Sequence, residues 1–271
     1  MTRLDTHLSD HPLFIPFITA GDPSPEVTID LALMLQDLGA NAIELGIPFS
    51  DPLADGPVIQ RASARALSHG VTLETSMNLA KQMRKHGVTI PIIIFTYYNP
   101  LVQLGEQQFI NLANDCDIDG VLVPDLPFEE SHELKRSLNE NKLALIHLVA
   151  PTTSEERLQN ICQNADGFLY CVSSLGVTGE RGQFAPSVYT FLQRVKNYSD
   201  IPIAVGFGVS SRKQMMDVKD DADGVVVGSA IVREIENNQH GLLEPTSRQQ
   251  VVAAIRERLW NKFFDKQGVG E

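Results

Sequence analysis

The sequence predicts an α/β protein, a closed (β/α)8 barrel of the TIM type with extra N-terminal and loop helices, and three observations carry that prediction. Eight short apolar runs rich in β-branched residues recur along the 271 residues. Most do not alternate with polar residues, so the strands are buried on both faces and pair in parallel. Turn residues and then helix-compatible spacing separate one run from the next. No Gly-, Ser- or Pro-rich linker splits the chain, so residues 1–271 are expected to form a single barrel domain rather than a doubly wound sheet.

In chain order, the first strand is expected at 14–18 (Phe-Ile-Pro-Phe-Ile) and a helix at 25–38. The second strand, 42–45 (Ala-Ile-Glu-Leu), ends in an acid and runs into a Gly/Pro-rich loop, with a helix at 73–86 beyond it. Strands at 90–95, 120–123 and 144–149 are followed by helices at 106–115, 129–139 and 154–164, the last started by Ser154-Glu155-Glu156. Strands at 167–172, 201–205 and 224–227 complete the eight, with helices at 187–198 and 210–218, and Ser210 reads as an N-cap. The final helix, 246–264, places Val251, Val252, Ile255, Leu259 and Phe263 on one face, a stripe that should seal the outer wall.

The bulk composition narrows function. A net charge of −12 and a pI near 5.0 disfavour nucleic acid or an anionic membrane as partner, so any phosphate site has to be local. Cys116, Cys162 and Cys171 form neither a pairing framework nor a C-x-x-C motif, which fits reduced thiols in a cytoplasmic protein. The start lacks a targeting pattern, and no segment is long and apolar enough to span a bilayer.

The reacting groups of such a barrel lie at the carboxyl ends of strands, and there the run Glu44-Leu-Gly-Ile-Pro-Phe-Ser-Asp-Pro-Leu-Ala-Asp55 carries two acids. Glu44 interrupts an apolar strand, so lost solvation should raise its pKa. Taken alone it reads equally as a proton-holding acid or as a member of a structural hydrogen-bond network. Asp55 sits on a turn restricted by two prolines and a glycine, where a solvated carboxylate is expected. Together the pair suits acid/base chemistry in one pocket.

Glycines follow the last three strands: Gly176, Gly179 and Gly182 around Thr178 and Arg181, then Gly206-Phe207-Gly208, then Gly228-Ser229. Loops seven and eight, with a helix N-terminus, are placed to bind a phosphate dianion through main-chain N–H groups. Loop six reads either as a closing lid or as a plain flexible loop. The seven histidines show no metal-ligating spacing, and no P-loop, nucleophile elbow or dinucleotide fingerprint is found.

Phe17-Ile-Thr-Ala-Gly-Asp22, the Glu44-to-Asp55 run, Pro124-Asp-Leu-Pro, Gly176-Val-Thr-Gly179 and Gly206-Phe-Gly208 resemble, in order, the motifs of the tryptophan synthase alpha subunit family. The resemblance covers essentially the whole chain. It implies a (β/α)8 barrel that cleaves indole-3-glycerol phosphate to indole and glyceraldehyde 3-phosphate, without metal or organic cofactor. Glu44 and Asp55 match the catalytic pair. Tyr170, Thr178, Gly179, Phe207, Gly208, Gly228 and Ser229 match positions around the substrate, and Phe17, Tyr97, Leu122 and Asp125 match those lining the indole side.

Members of that family pair with a beta subunit carrying pyridoxal phosphate, in an α2β2 assembly, and Asp51, Pro52, Asn99 and Pro127 fall in loops matching the contact surface. Loop six reads Ser173-Ser174-Leu175 where some members carry an Arg. Two rivals stand beside this reading: a sugar-phosphate isomerase or epimerase with a similar phosphate cup, and a noncatalytic subunit that only activates its partner.

Overall fold

The computed structural model describes residues 2–9, 12–173, 184–206 and 208–265. Its strands are β1 Leu13–Thr19, β2 Ile43–Gly46, β3 Ile92–Phe95, β4 Gly120–Leu122, β5 Ala144–Val149, β6 Leu169–Val172, β7 Ile203–Gly206 and β8 Gly224–Val227. They close into a barrel in chain order, every neighbour parallel, and Leu13 pairing with Gly224 joins the first strand to the last.

The strand starts expected at 90, 167 and 201 are trimmed by local chemistry. Pro91 and Pro202 lack an N–H for the ladder and contribute only carbonyls, to Ile43 and Leu169. Gly167 has φ +66°, outside the strand region.

The helices are α1 Arg3–His7, α2 Pro25–Asp37, α3 Pro57–Ser68, α4 Leu73–Lys85, α5 Tyr98–Leu104, α6 Glu106–Asp115, α7 His132–Glu140, α8 Glu155–Asn164, α9 Pro186–Lys196, α10 Arg212–Asp217, α11 Ser229–Asn237, α12 Gln239–Leu243 and α13 Arg248–Phe263. Four of them, α3, α5, α11 and α12, lie where the sequence pattern gives no helix. Pro57 and Pro100 conceal the first two, since each sits in the first turn, where a missing N–H costs nothing. The N-cap of α8 is Ser154, as expected, whereas α10 is capped by Ser211 and not by Ser210.

Side chains alternate across each strand, and this sorts the core into two clusters. Leu13, Ile15 and Phe17, Ile93 and Phe95, Leu122, Ile146, Tyr170, Ala204 and Val226 fill the lumen. The opposite faces, such as Ile43 and Leu45 or Val225 and Val227, pack beneath the helices. The α13 stripe faces this outer layer: Val252, Ile255, Leu259 and Phe263 are buried, Val251 is half-buried, and the Phe263 ring lies 6.0 Å from Phe14. Each such side chain contributes about 1.5–3 kcal/mol.

At the amino end, Arg84 and Arg3 clamp Asp119 at 2.6 and 2.9 Å, and Asp119 accepts the Ile92 N–H at 2.8 Å. This cluster ties α1 to the strand starts and leaves the carboxyl end of the barrel free for chemistry.

Candidate active site at the carboxyl end of the barrel

β2 pairs with β1 and β3 so that Glu44 stands level with Phe17 and Ile93, and alternation along the strand turns it into the lumen with Ala42 and Gly46. Its carboxyl is 1 % exposed, and Oε1 finds no hydrogen-bond partner among the described residues. Loss of hydration pushes the group up to about 8. Among the described residues no structural hydrogen-bond network engages Oε1 of Glu44.

Asp55 lies in the loop between β2 and α3. The sequence predicts a solvated carboxylate there, and the structure corrects this: Asp55 is 7 % exposed. Burial raises its pKa to about 6, and a hydrogen bond with the Tyr97 hydroxyl pulls it back. Tyr97 precedes α5 and also accepts the Ala54 N–H at 2.9 Å, so one phenol holds both the loop backbone and its carboxylate. The walls of this end are aromatic. The Phe17 and Phe95 rings meet at 5.5 Å, Phe95 and Tyr97 at 6.4 Å, and Phe49 stacks on Tyr97 at 5.1 Å.

Tyr170 joins the two acids electrostatically. Its phenol is held well above the ordinary value by burial and then by the charges of Glu44 and Asp55, so all three side chains share one low-dielectric space. Two glycines make room for the rings. A Cβ on Gly46 would fall 2.3 Å from the Phe17 ring, and one on Gly206 would fall 2.1 Å from the Tyr170 hydroxyl.

The remaining sequence candidates divide. Leu122 is buried in the lumen. Asp125 is exposed, and its Oδ1 accepts the Tyr98 N–H at 2.9 Å, which ties the β4 loop to the start of α5. Gly228 is the N-cap of α11 and Ser229 its first residue, so the amino end of that helix opens beside Phe17 and Ile59. Gly208, with φ +93°, turns the loop after β7. Thr178, Gly179 and Phe207 lie outside the described residues, as do Gly176, Arg181 and Gly182. Asp51, Asn99 and Pro127 are exposed and Pro52 is half-buried; Asp51 and Pro52 lie on the loop after β2, Asn99 in the first turn of α5 and Pro127 on the loop after β4.

Three participants escape the sequence reading. Gln214 is 1 % exposed and braces the β7 loop, accepting from the Ser210 N–H at 2.8 Å and donating to the Gly208 carbonyl at 3.1 Å. Its signal was the Ser211-x-x-Gln214 spacing of a capping box. Phe95 was readable from strand alternation. Thr19, on the lumen face two residues beyond Phe17, is buried with Oγ1 lacking a partner among the described residues, and no local pattern marks it. No cluster of His, Cys, Asp and Glu among the described residues is arranged to hold a metal ion.

Two buried acids of different strength beneath aromatic walls, with a helix N-terminus beside Phe17, can protonate and deprotonate a flat ring that carries an anionic tail. A family profile described as "Tryptophan synthase alpha chain" matches residues 5–259. The tryptophan synthase alpha chain of Halalkalibacterium halodurans is 55% identical over 94% of this chain and 97% of its own. That of Bacillus subtilis (strain 168) is 54% identical over 95% and 96%. Among solved structures, tryptophan synthase subunit alpha from Legionella pneumophila str. Paris has a TM-score of 0.82 at 38% identity, covering 96% of this chain and 99% of that one. A chain from the tryptophan synthase a2b2 complex of Pyrococcus furiosus, described as a basis of mutual activation, has a TM-score of 0.83 at 37% identity, covering 92% and 97%.

Proposed function

The chain belongs to the tryptophan synthase alpha chain family, and from that premise we propose that Glu44 and Asp55 are the acid/base pair of its reaction. The reaction is the cleavage of indole-3-glycerol phosphate to indole and glyceraldehyde 3-phosphate, a lyase step in tryptophan biosynthesis. It needs no cofactor in this chain. Pyridoxal phosphate belongs to the beta subunit, with which the alpha subunit forms the α2β2 complex. No described helix is long and apolar enough to cross a membrane. We place the chain in the cytoplasm, with the other enzymes of small-molecule biosynthesis.

Breaking the bond between indole C3 and the glycerol carbon requires a proton at C3, removal of the proton on the adjacent hydroxyl, and stabilisation of positive charge at the ring nitrogen. Glu44, pushed up to about 8, still carries its proton near neutrality and delivers it to C3. The carboxylate so formed takes the hydroxyl proton as the carbonyl of glyceraldehyde 3-phosphate forms. The electrons of the broken bond return to the ring, and Glu44 ends as it began. Asp55, with its pKa near 6, is mostly ionised under the same conditions and accepts the indole N–H, opposing the charge of the protonated ring.

Phe17, Leu122, Tyr97 and Tyr170 supply flat apolar walls for the bicyclic ring. Gly208, Gly228 and Ser229, with Thr178, Gly179 and Phe207 of the neighbouring loops, receive the phosphate on main-chain N–H groups, which reconciles an anionic substrate with a net charge of −12. Asp51, Pro52, Asn99 and Pro127 face the beta subunit, and Asp125 holds the loop between that face and the lumen.

The observation that carries this reading is that Glu44 on β2 and Asp55 on the loop after it are both buried at the carboxyl end of the barrel, where burial raises both carboxyls. Indole release by Glu44→Gln and Asp55→Asn, measured with and without the beta subunit, tests it. Near-native turnover in either variant removes that residue from the mechanism.

A further inference from the structure

One polar side chain in the outer core is used by nothing described above. β5 sends Ile146 and Leu148 toward the lumen, so His147 between them faces the helix layer. Elsewhere in that layer the strands present aliphatic or aromatic side chains and one cysteine, as at Ile43, Ile94, Val121 and Cys171. His147 is 6 % exposed, its Nε2 has no hydrogen-bond partner among the described residues, and its ring meets the Phe128 ring edge-on at 5.3 Å. Burial, then the charges of Lys135 and His132, lower its pKa to about 4, so the imidazole is neutral and one ring nitrogen is an acceptor. An unpaired imidazole costs stability at a position where a leucine would pack.

The ring lines a cavity of about 320 Å³ roofed by Pro127 and Phe128. The cavity continues over the strand ends to Leu148 and Val172, which pack against the lumen cluster, so it adjoins the mouth of the barrel. Its volume is at the low end for small-molecule sites. Two residues of its lining, Arg157 and Asp125, carry a formal charge. Arg157 makes a two-pronged pair with Glu129 at 2.7 and 3.1 Å, and Asp125 accepts the Tyr98 N–H. A ligand here meets an acceptor nitrogen and a flat aromatic wall, with no spare cation for an anion.

We propose that this cavity is a second ligand site, taking a small, neutral, flat heteroaromatic with an N–H donor and using His147 as the acceptor. Indole, released a few side chains away, is the member of that class the protein itself produces. Naming indole rests on the cleavage reaction; the site itself rests on the cavity and on His147. The ligand N–H bonds the imidazole nitrogen while its ring lies against Phe128, beneath the Pro127 loop that faces the beta subunit.

The test uses the full chain with the lumen blocked by saturating indole-3-propanol phosphate, which lacks the hydroxyl that cleavage requires. Indole is titrated by calorimetry and by the imidazole resonances of ¹⁵N-histidine-labelled protein, assigned with His147→Phe. The expected result is one further equivalent of indole, a shift of the His147 resonances, and affinity lowered about tenfold in His147→Phe. His147→Gln keeps an acceptor and should bind within about threefold of the native chain.

No binding once the lumen is blocked, or unchanged affinity in His147→Phe, overturns the proposal. Equal loss in both variants assigns the effect to packing and overturns the role of the ring nitrogen. If His147→Phe fails to fold, the native resonance shift and the Gln variant decide. Failure of the cleavage reading appears separately, as an absence of indole from indole-3-glycerol phosphate, and leaves the titration readable.

Discussion

Tyr97 holds Asp55 in place: its hydroxyl donates to the carboxylate and accepts the N–H of the preceding residue, Ala54, at 2.9 Å. Tyr97 enters the sequence reading as a wall of the indole side, yet its oxygen acts on the loop. Tyr97→Phe keeps the wall and deletes the bond. Removing a donor from a carboxylate raises its pKa, so the acid limb of the cleavage rate should move to higher pH while the rate at its optimum falls about tenfold. An acid limb unmoved in this variant would show that the contact does not tune Asp55.

The two acids predict the shape of the pH profile. With the roles proposed for them, cleavage takes Asp55 ionised and Glu44 protonated, so kcat/KM should be bell-shaped, with limbs near 6 and near 8. Glu44→Gln should lower kcat by about 10²–10⁴. Asp55→Asn should lower it by about 10²–10³ and flatten the acid side of the remaining rate. A full pH series on the three proteins checks both statements, and an alkaline limb surviving unchanged in Glu44→Gln would assign it to another group.

The same shift has a consequence for stability, with a definite sign. Between pH 4.5 and about 8, folded Glu44 keeps a proton that the unfolded chain has released, so stability falls as pH rises through that window. Asp55 adds the same sign between 3.8 and about 6. Glu44→Gln removes the larger contribution. Its unfolding free energy should match the native value near pH 4.5 and exceed it at pH 8 by a margin on the order of a few kcal/mol, with Tm moving in the same direction. Thermal melts at the two pH values decide this, and a variant less stable at pH 8 would mean that the buried carboxylate has a partner when ionised.

At the phosphate end, geometry separates two substitutions of one glycine. A Cβ on Gly228 would lie 3.6 Å from Ile59 and Phe17, ordinary contact, so Gly228→Ala should fold normally. It also narrows the approach to the first N–H groups of α11, and KM should rise about tenfold with kcat less affected. Gly228→Asp sets an anion beside the dianion, and its KM should rise about tenfold further. Equal KM in all three proteins would place the phosphate elsewhere.

The strands, their parallel order and the location of the acids were legible because each is a local pattern: apolar runs between turns, and an acid at a strand tip. What stayed hidden depends on residues far apart in sequence. Asp55 is dry because Tyr97, more than forty positions away, folds over it, and its Asp-Pro-x-x-Asp-Gly surroundings look like any solvated turn. The demand for glycine at 46 and 206 comes from the Phe17 and Tyr170 rings on neighbouring strands. His147 reads as one polar residue in a strand, and only the closed barrel shows that it faces the buried side. Gln214 was within reach, since its capping spacing is local.

The loop after β2 and helix α5 after β3 also leave three large apolar side chains in water: Leu53 at 86 % exposure, Tyr98 at 37 % and Val102 at 53 %. They stand among Asp51, Pro52 and Asn99, on the face assigned to the beta subunit. Exposed apolar side chains grouped on one face mark an interaction surface, and burying one of them fully on association is worth about 1.5–3 kcal/mol. Leu53→Asp replaces the most exposed of them with a charge and touches no core residue. The isolated chain should melt at the native temperature, while affinity for the beta subunit falls about tenfold or more. Because Leu53 lies two residues from Asp55, stimulation of cleavage by the partner should fall in parallel with occupancy and recover at high beta-subunit concentration. Calorimetry against the beta subunit, with indole release followed across its concentration, tests both halves. Native affinity in Leu53→Asp would move the contact off this loop, and weak stimulation that saturating partner does not restore would mean that the substitution disturbs Asp55 itself.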